Sequence, residues 1–283
     1  MTSTTFAPTP VDGTALRARD LTLSYDGRRV VEHLDLDVPA GRITVVVGPN
    51  GCGKSTLLRG LARLLRPTEG SVHLASDGAH DDVWWLRPKG FARHVALLPQ
   101  SPPVPEGITV VDLVGRGRHP HRKLVRRWSR ADDEAVTRAM RATGTIELAE
   151  RPVDELSGGQ RQRVWIALTL AQETDVVLLD EPTTYLDLAH QVDVLDLLRD
   201  LNRSRGTTVV MVLHDLNLAA RYADHVVALR DGRLVGSGAP ADLVDEEFVA
   251  QVFGLRSRVI ADPVTGSPLV VPTSTHHQSG ATS

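Results

Sequence analysis

The sequence feature that most constrains the fold is a glycine-rich loop at residues 48–56, GPNGCGKST. It follows ITVVV at 43–47, a β-branched run typical of a strand that is buried on both faces. It leads into KSTLLRGLARLL, which predicts a helix that ends before Pro67. A strand, a G-x-x-x-x-G-K-S loop and a helix in this order are the context that a P-loop requires. The chain is therefore predicted to bind the phosphates of a nucleotide.

Each part of this loop has a predicted role in the nucleotide site. Glycines allow backbone N–H groups to turn inward around phosphate oxygens, and the helix N-terminus adds positive potential. Lys54 is predicted to reach the β- and γ-phosphates, and Ser55 to hold Mg²⁺. We interpret Cys52 as a neutral loop residue. The residues predicted to bind the nucleotide are Gly48, Pro49, Asn50, Gly51, Cys52, Gly53, Lys54, Ser55 and Thr56.

Composition excludes several classes of protein. The formal net charge is −3, which implies no bulk attraction to nucleic acid or to an anionic membrane. A single cysteine makes an internal disulfide impossible and indicates a reducing compartment. No apolar run approaches the roughly 18 residues that a transmembrane helix needs, and the N-terminus lacks the pattern of a secretory signal. We expect a cytoplasmic chain whose membrane role, if any, comes through a partner.

The order of predicted elements indicates an α/β fold. An alternating N-terminal segment with a turn signal at Asp26-Gly27 predicts short antiparallel strands, and alternating strands and helices predict a mostly parallel sheet in a P-loop core. Residues 101–172 read as helices after a proline-rich connection, which predicts an inserted helical subdomain. Ser129 and Asp132 have the spacing of a capping box at the start of one of these helices. We expect one domain over residues 15–272, with disordered ends at 1–14 and 273–283.

Two adjacent carboxylates follow a second predicted core strand, VVLLD at 176–180. Asp180 ends this strand, at the edge of the sheet where it can hold Mg²⁺. Glu181 follows it and is predicted to activate the attacking water. Two solvated acids at a strand end are the alternative, but the P-loop favours the catalytic interpretation.

Three more polar residues are candidates for the same site. His214 ends a buried strand and is predicted to contact the γ-phosphate, while Gln100 ends VALLPQ and is predicted to sense Mg²⁺. For either residue alone a structural role is the stronger interpretation, but both lie at strand ends of one P-loop sheet. Tyr25 is predicted to stack on the base; a tyrosine that merely packs in the core or a hairpin is the alternative.

The stretch DELSGGQRQR at 154–163 resembles a helix start with two unexplained glycines. Ser157 and Gln160 have the spacing of a capping box. The helix N-terminus is a second predicted phosphate site, yet the P-loop already surrounds the phosphates on its own side. The simplest resolution is a nucleotide held by another copy of the chain. The predicted contacts in trans are Ser157, Gly158, Gly159 and Gln160.

In sequence order, these residues resemble the motifs of the ATP-binding-cassette ATPases, and the resemblance covers nearly the whole chain. The matching set is Tyr25 (A-loop), GPNGCGKST (Walker A), Gln100 (Q-loop), LSGGQ at 156–160, VVLLDEP (Walker B), YLD at 185–187 (D-loop) and His214 (switch histidine). The resemblance implies ATP and Mg²⁺ as ligands, with Ser55, Gln100 and Asp180 at the metal. It implies catalytic roles for Lys54, Gln100, Glu181 and His214. It also implies a head-to-tail dimer with ATP between the subunits, and communication across the dimer through Asp187.

Longer segments resemble one subfamily, the ATPases of ferric-siderophore importers. GRGRHPHRKLVRRW and DPVTGSPLVVP are similar to the ferric-enterobactin type in particular, with Tyr185 standing where tryptophan is common. The resemblance implies a peripheral protein on the cytoplasmic face of the cell membrane. Its implied partners are membrane permease subunits and, indirectly, an extracytoplasmic siderophore-binding protein.

Other interpretations remain at this stage. An importer of haem, cobalamin or another metal chelate is the closest alternative. A DNA-repair cassette ATPase would carry long coiled coils, and a translation factor usually carries two cassettes; neither is present, so no nucleic-acid partner is expected. The basic run Arg116–Arg127 is interpreted as a partner-facing or lipid-facing patch, or as a solvated face.

Overall fold

The computed structural model describes residues 13–76, 79–100, 102, 106–122, 128–184 and 186–274. Within these ranges the chain forms twelve strands, nine α-helices and three short 3₁₀ helices. The strands are β1 (Thr14–Tyr25), β2 (Arg28–Pro39), β3 (Ile43–Val47), β4 (Glu69–Ser76), β5 (Ala79–Asp82), β6 (Val95–Leu98), β7 (Val176–Asp180), β8 (Thr208–Val212), β9 (His225–Arg230), β10 (Arg233–Gly238), β11 (Arg256–Ala261) and β12 (Pro268–Ser274). The α-helices are α1 (Lys54–Leu61), α2 (Pro88–Phe91), α3 (Val110–Gly115), α4 (Arg130–Ala142), α5 (Gly158–Ala171), α6 (Leu188–Arg205), α7 (Leu216–Tyr222), α8 (Pro240–Leu243) and α9 (Glu246–Phe253). The 3₁₀ helices are Arg116–His121, Ile146–Leu148 and Val153–Glu155.

The central sheet has six strands in the order β10-β9-β3-β8-β7-β6. The five strands from β9 to β6 are parallel, and β10 pairs antiparallel at one edge. Val45 in β3 is flanked by Met211 in β8 and Val226 in β9. Every residue of β3, β7 and β8 is buried. The predicted mostly parallel sheet, buried on both faces, is confirmed.

Successive side chains of the central strands enter two different cores, because side chains alternate across a strand. Val45 packs in the core beneath the helices. Val46, the next residue, packs with α1 and the N-terminal sheet. Complete burial of such an aliphatic side chain contributes about 1.5–3 kcal/mol. The carboxyl edge of the sheet is thus held rigidly from both sides.

The N-terminal sheet is antiparallel, in the order β2-β1-β4-β5. Asp26 and Gly27 make the predicted turn between β1 and β2, with φ of 48° and 80°. The prediction of short strands is wrong in length, since β1 and β2 have 12 residues each. Register shifts along the pair allow irregular segments to belong to one continuous ladder.

Helices α3, α4 and α5 lie between β6 and β7 in the chain and pack on one another, as predicted for an inserted helical subdomain. The predicted capping box of Ser129 and Asp132 is present at α4. Helix α1 ends at Leu61, earlier than predicted. Arg63 adopts a left-handed conformation, with φ of 59°, which stops the helix before Pro67.

The two ends of the described chain extend slightly past the expected domain. Thr14 already belongs to β1, and β12 continues to Ser274, where the sequence predicted disorder at both positions. These residues are ordered by strand pairing, Thr14 with β2 and Ser274 with β11. Residues 1–12 and 275–283 lie outside the described ranges. In the part of the chain that is described, no helix has the length and hydropathy to cross a membrane.

Candidate functional site

The loop between β3 and α1 requires glycine for steric reasons. Gly48 has a φ of 147°, and a Cβ on it would lie 2.1 Å from the carbonyl oxygen of Leu229. Gly53, immediately before α1, has a φ of 103° and lies against the backbone of Val30. The backbone therefore curls closely between β9 and the N-terminal sheet, in a conformation that larger residues resist.

Lys54 closes this loop from the inside. Its Nζ donates to the carbonyl oxygens of Gly48 and Pro49, each at 2.8 Å, and the residue is only 5% exposed. This places a buried ammonium group within the curl of the backbone. Cys52 is also buried, and burial raises the pKa of its thiol. The raised pKa keeps this thiol protonated near pH 7, and a protonated thiol is a poor nucleophile.

Ser55 and Asp180 meet across 125 residues of sequence, and the Ser55 hydroxyl donates to Oδ1 of Asp180 at 2.8 Å. Burial raises the pKa of Asp180, although its hydrogen bond from Ser55 acts in the opposite direction. Hydroxyl and carboxylate oxygens are ligands that suit Mg²⁺. Among the described residues no group of three or more His, Cys, Asp or Glu could hold a metal. The pair fits Mg²⁺ because this ion is usually bound through one or two carboxylates and takes its other ligands from phosphate and water.

Glu181 is the point at which two other predicted residues, Gln100 and His214, converge. Its Oε2 accepts from Gln100 Nε2 at 2.6 Å and from Thr184 Oγ1 at 3.0 Å. Its Oε1 lies 2.6 Å from His214 Nε2. The residue itself is 9% exposed and has a φ of 55°. The predictions from three separate strand ends thus correspond to one hydrogen-bonded cluster.

Thr184 is the member of this cluster that the sequence analysis missed. It lies three residues after Glu181, and its backbone N–H donates to the carbonyl oxygen of Glu181 at 3.2 Å. The sequence signal that could have identified Thr184 is a turn after β7. In such a turn, a threonine three residues after an acid can donate a hydrogen bond from its hydroxyl to that acid's carboxylate. It holds the carboxylate in place without itself facing the phosphate loop.

The loop and the cluster border one open cavity of about 400 Å³. This volume is within the range of small-molecule sites. Its lining residues are Val30, Asn50, Gly51, Gly53, Lys54, Ser55, Thr56, Gln100, Glu181 and His214. One cavity is therefore lined by the cation of Lys54, by glycines of the phosphate loop, by Ser55 with Asp180 hydrogen-bonded to it, and by Glu181 as a candidate general base. That combination suits the cleavage of a phosphoanhydride by water.

Tyr25 lies at the end of β1 and outside the residues that line this cavity. Its hydroxyl accepts from Nη1 of Arg59, in α1, at 3.0 Å, and the residue is 38% exposed. The ring is thus fixed beside the phosphate-loop helix with part of its surface accessible. Stacking of this ring on the base stays a prediction.

Ser157 begins α5 as predicted, with a complete capping box. Its Oγ accepts from the backbone N–H of Gln160 at 3.3 Å, and its own N–H donates to Gln160 Oε1 at 3.2 Å. A Cβ on Gly158 would have no heavy atom within 4 Å, and one on Gly159 would meet only Leu186, at 3.4 Å. Contacts within the described part of this chain therefore do not require glycine at position 158 or 159. Ser157, Gly158, Gly159 and Gln160 are not among the residues that line the cavity.

Asp187 caps the N-terminus of α6. Its Oδ1 accepts from the backbone N–H of His190 at 3.0 Å and lies 2.7 Å from the Nδ1 of the same residue. The backbone hydrogen bond from His190, followed by the one from its side chain, lowers the pKa of Asp187. The carboxylate is exposed and lies away from the cavity. Tyr185, in the same predicted motif, lies outside the described residues.

Comparison with known families and curated proteins gives consistent matches. The ABC transporter family matches residues 31–184. The chain is 54% identical over 259 residues to an achromobactin transport ATP-binding protein of Dickeya dadantii, covering 92% of this chain and 95% of that protein. It is 54% identical over 257 residues to a ferric enterobactin transport ATP-binding protein of Escherichia coli, covering 91% and 93%.

Solved structures give the same result for the fold. The chain is similar to one described as an inward-facing metal-chelate type ABC transporter, with a TM-score of 0.78 and 30% identity over 92% of this chain and 98% of that one. It is also similar to the dimeric structure of MJ0796, a bacterial ABC transporter cassette. That TM-score is 0.70, with 26% identity over 79% of this chain and 98% of the cassette.

Proposed function

Because this chain belongs to the ABC transporter family, we propose that it is the ATP-hydrolysing subunit of an importer for ferric siderophores. The observation that carries the ATPase activity is a cavity lined by Lys54, Ser55 and Glu181, with Asp180 hydrogen-bonded to Ser55. The cargo class is supported by relatives named for siderophores, two of them at 54% identity. A cobalamin import protein of Halobacterium salinarum is 42% identical over 62% of its length. The siderophore assignment is therefore preferred to haem, cobalamin or another chelate.

The chain's own residues bind the triphosphate and prepare it for attack. The backbone amides of the loop surround the phosphate oxygens, and the Lys54 ammonium, already buried there, turns to the β- and γ-phosphates. Ser55 and Asp180 would hold Mg²⁺. When bound, this ion neutralises charge on the β- and γ-phosphates.

Glu181 is the proposed general base for water. In the structure its carboxylate is bound by Gln100 and His214. When ATP is present, we expect Gln100 to turn toward the metal and His214 toward the γ-phosphate, which frees one carboxylate oxygen to orient the attacking water. The chemistry then depends on positioning and on electrostatic stabilisation.

A homodimer completes the site in this proposal. Nothing in the described part of the chain requires glycine at 158 and 159, so the approach of a group from outside explains both. The N-terminus of α5, with Ser157 and Gln160, would contact the γ-phosphate of ATP held by the partner subunit. Asp187, exposed at the start of α6, would contact the partner and link the two sites.

The remaining partners connect hydrolysis to transport. ATP binding would close the dimer and move the helical subdomain, which pulls on membrane permease subunits at the cytoplasmic face. The proposed hinge and docking rim is Gln100 with the following segment 101–109, of which residues 101 and 103–105 lie outside the described residues. An extracytoplasmic binding protein delivers the siderophore to the permease, and Mg²⁺ accompanies ATP.

Uptake of labelled cargo tests the proposal. In a strain that lacks this protein, accumulation of iron from ferric siderophores should fall to background, while uptake of haem and cobalamin is unaffected. The wild-type gene should restore iron uptake and an Asp180→Asn variant should not. Loss of haem or cobalamin uptake alone would instead support the alternative cargo.

A further inference from the structure

Two segments of this acidic chain contain cations and no carboxylate. Residues 83–94 read VWWLRPKGFARH, and residues 115–122 read GRGRHPHR. The whole chain has 35 acidic residues and 32 lysines and arginines, so its net charge is negative, whereas the net charge of these two segments is positive. Two adjacent tryptophans, Trp84 and Trp85, lie within the first segment, and a third, Trp128, follows the second.

The fold brings the two segments together on one surface. Lys89, in α2, donates from Nζ to the carbonyl oxygen of Arg122. Arg93 donates from Nε to the carbonyl oxygen of Pro120 at 3.0 Å. Because both acceptors are neutral backbone oxygens, these bonds join the segments without cancelling their charge. We call the surface the basic tryptophan face and define it by Trp85, Arg87, Lys89, Arg93, Arg116, Arg122 and Trp128.

The cations of this face are exposed and unpaired. Among the described residues, none of the five has a carboxylate within 4.0 Å. Arg118, in the same segment, shows the contrast: it is buried and forms ion pairs with Asp132 and Glu173. The fold therefore satisfies the one inward-facing arginine and leaves its neighbours in solvent.

The tryptophans of this region differ in exposure and in their contacts with arginine. Trp85 is 88% exposed, while the ring of Trp84 beside it has the guanidinium groups of Arg63 and Arg66 at 5.2 and 5.7 Å. Arg122 lies 5.8 Å from the ring of Trp128. The face thus combines one strongly exposed indole, Trp85, with a second, Trp128, that lies beside an arginine, which is unusual for a surface that meets only water.

Trp128 is also fixed from below. A Cβ on Gly115, at the end of α3, would lie 3.0 Å from Cη2 of Trp128, so the ring rests on the glycine. Its Nε1 donates to Asp133. The indole thus has a defined position beside a pocket that Arg116 and Arg122 line together with two carboxylates, Asp112 and Asp133, of which Asp133 accepts the indole N–H.

The face lies away from the proposed dimer contact. Ser157 is at the start of α5, whereas His121 contacts the carbonyl oxygen of Gln172 just past the end of that helix, at 2.6 Å. The 14 residues of α5 span about 21 Å. Dimer formation through Ser157 would therefore leave the basic tryptophan face uncovered.

We propose that the basic tryptophan face binds the phosphate groups of anionic lipids at the membrane surface. The proposal rests on the proposed function for the presence of a membrane beside this subunit. Tryptophan and arginine are the residues favoured at a lipid–water interface. Cytoplasmic loops of permeases are themselves enriched in lysine and arginine, so they repel such a face, whereas anionic headgroups complement it.

Vesicle binding by the purified full-length chain tests this directly. We expect it to co-sediment with vesicles that contain phosphatidylglycerol, to bind pure phosphatidylcholine vesicles weakly, and to dissociate at high salt. An Arg87→Gln/Lys89→Gln variant should bind anionic vesicles roughly 30-fold more weakly, from about fivefold per charge. An Arg203→Gln/Arg256→Gln variant is the control, because it removes the same charge from α6 and β11 and should change binding little.

The outcomes separate this inference from the proposed function. Equal binding to neutral and anionic vesicles, or equal loss in both variants, would overturn the inference. So would normal vesicle binding by the Arg87→Gln/Lys89→Gln variant with failed assembly on the detergent-solubilised permease, which would assign the face to the permease. ATP affinity should be unchanged in both variants. Siderophore uptake that persists without any vesicle binding would refute only the lipid site.

Discussion

At the residue scale, Glu181 is held in place by groups that arrive from three loops. Gln100 and Thr184 share one carboxylate oxygen, and His214 takes the other. Such a carboxylate is already oriented, but both oxygens are engaged. Activation of water therefore requires at least one partner to turn away, which makes the partners as important as the base.

Replacement of Glu181 by glutamine should separate ATP binding from hydrolysis. Glutamine retains the shape but cannot accept a proton, so phosphate release should fall by about 10²–10⁴-fold. ATP affinity should be retained, and a stable ATP-bound dimer should appear in size-exclusion chromatography. Thr184→Ala is the matched control: it removes one bond to the carboxylate and should have a much smaller effect. Near-normal turnover of Glu181→Gln would contradict the assignment.

Asp180→Asn should stabilise the nucleotide-free protein while it abolishes activity. Burial raises the pKa of Asp180, so the folded state favours its protonated form. The stabilising contribution of that form is full at acid pH and is lost as the pH rises through the raised pKa. Asparagine can still accept from Ser55 but carries no charge. We expect a melting temperature about 2 °C above wild type at pH 7, a gap that narrows in acid, and loss of Mg²⁺-dependent hydrolysis. A lower melting temperature at pH 7 would argue against this account.

At the element scale, Arg118 joins the 3₁₀ helix after α3 to its neighbours. Its Nε donates to Asp132 near the start of α4, at 3.1 Å, and its Nη1 to the last carbonyl of α5, Ala171, at 2.7 Å. The same Nη1 lies 2.9 Å from Oε2 of Glu173. Three elements of the helical subdomain thus share one buried cation.

Arg118→Ala should cost about 3–5 kcal/mol in the free energy of unfolding, because a buried carboxylate loses its partner. Arg138→Ala removes a half-exposed partner of Glu173 and should cost under about 1 kcal/mol. Urea denaturation measures both. Equal costs for the two variants would show that burial is not the deciding factor.

The pH dependence of unfolding gives a second measure of Arg118. Burial alone would raise the pKa of Asp132, but hydrogen bonds from Ser129 and Arg118 outweigh it and lower that pKa. The associated stability is present above the ordinary aspartate pKa and is lost as the pH falls. Arg118→Ala should therefore show a shallower loss of stability in acid than wild type. If the free energy of unfolding depends on pH equally in Arg118→Ala and wild type, Arg118 is not what lowers the pKa of Asp132.

How far the sequence predicted this structure depends on the range of the interaction. β-branched runs and glycine turns predicted β3, β7 and β8, and the capping pairs predicted the starts of α4 and α5, because these signals are local. The convergence of Gln100 and His214 on Glu181 was predicted only as a shared sheet edge. Arg118 was missed, since its burial depends on helices that the sequence places far apart. The early end of α1 follows from the left-handed backbone conformation of Arg63, which the presence of an arginine does not predict.

At the scale of the whole molecule, the N-terminus of α5 faces outward, and no described residue of the same chain packs tightly against its glycines. Gly158 is the sharpest evidence, since the space around it is open. Ser157 and Gln160 satisfy each other in the free subunit. The proposed partner must therefore compete only with one weak pair of hydrogen bonds.

Gly158→Ala should leave the folded monomer intact but impair ATP hydrolysis by the proposed dimer. The folded chain has room for the methyl group, and alanine favours a helix, so stability and ATP affinity of the monomer should be retained. The methyl group should obstruct the partner's γ-phosphate and reduce hydrolysis by about tenfold or more. Gly90→Ala, another open helical glycine, is the control and should leave hydrolysis unchanged. Loss of ATP affinity in the Gly158→Ala monomer would refute the contact in trans.

The position of β3 in the sheet has a consequence for biosynthesis. This strand carries the phosphate loop, yet it lies between β8 and β9, which begin at Thr208 and His225. A ribosome adds about 5–20 residues per second, so on the order of ten seconds pass between the synthesis of β3 and that of β8, the first strand with which it pairs. The nascent chain can pair β1 with β2 early, but it cannot complete a nucleotide site until β9 has emerged. We therefore expect that a chain truncated before β9 lacks a complete nucleotide site, and that nucleotide binding begins only when synthesis is nearly finished.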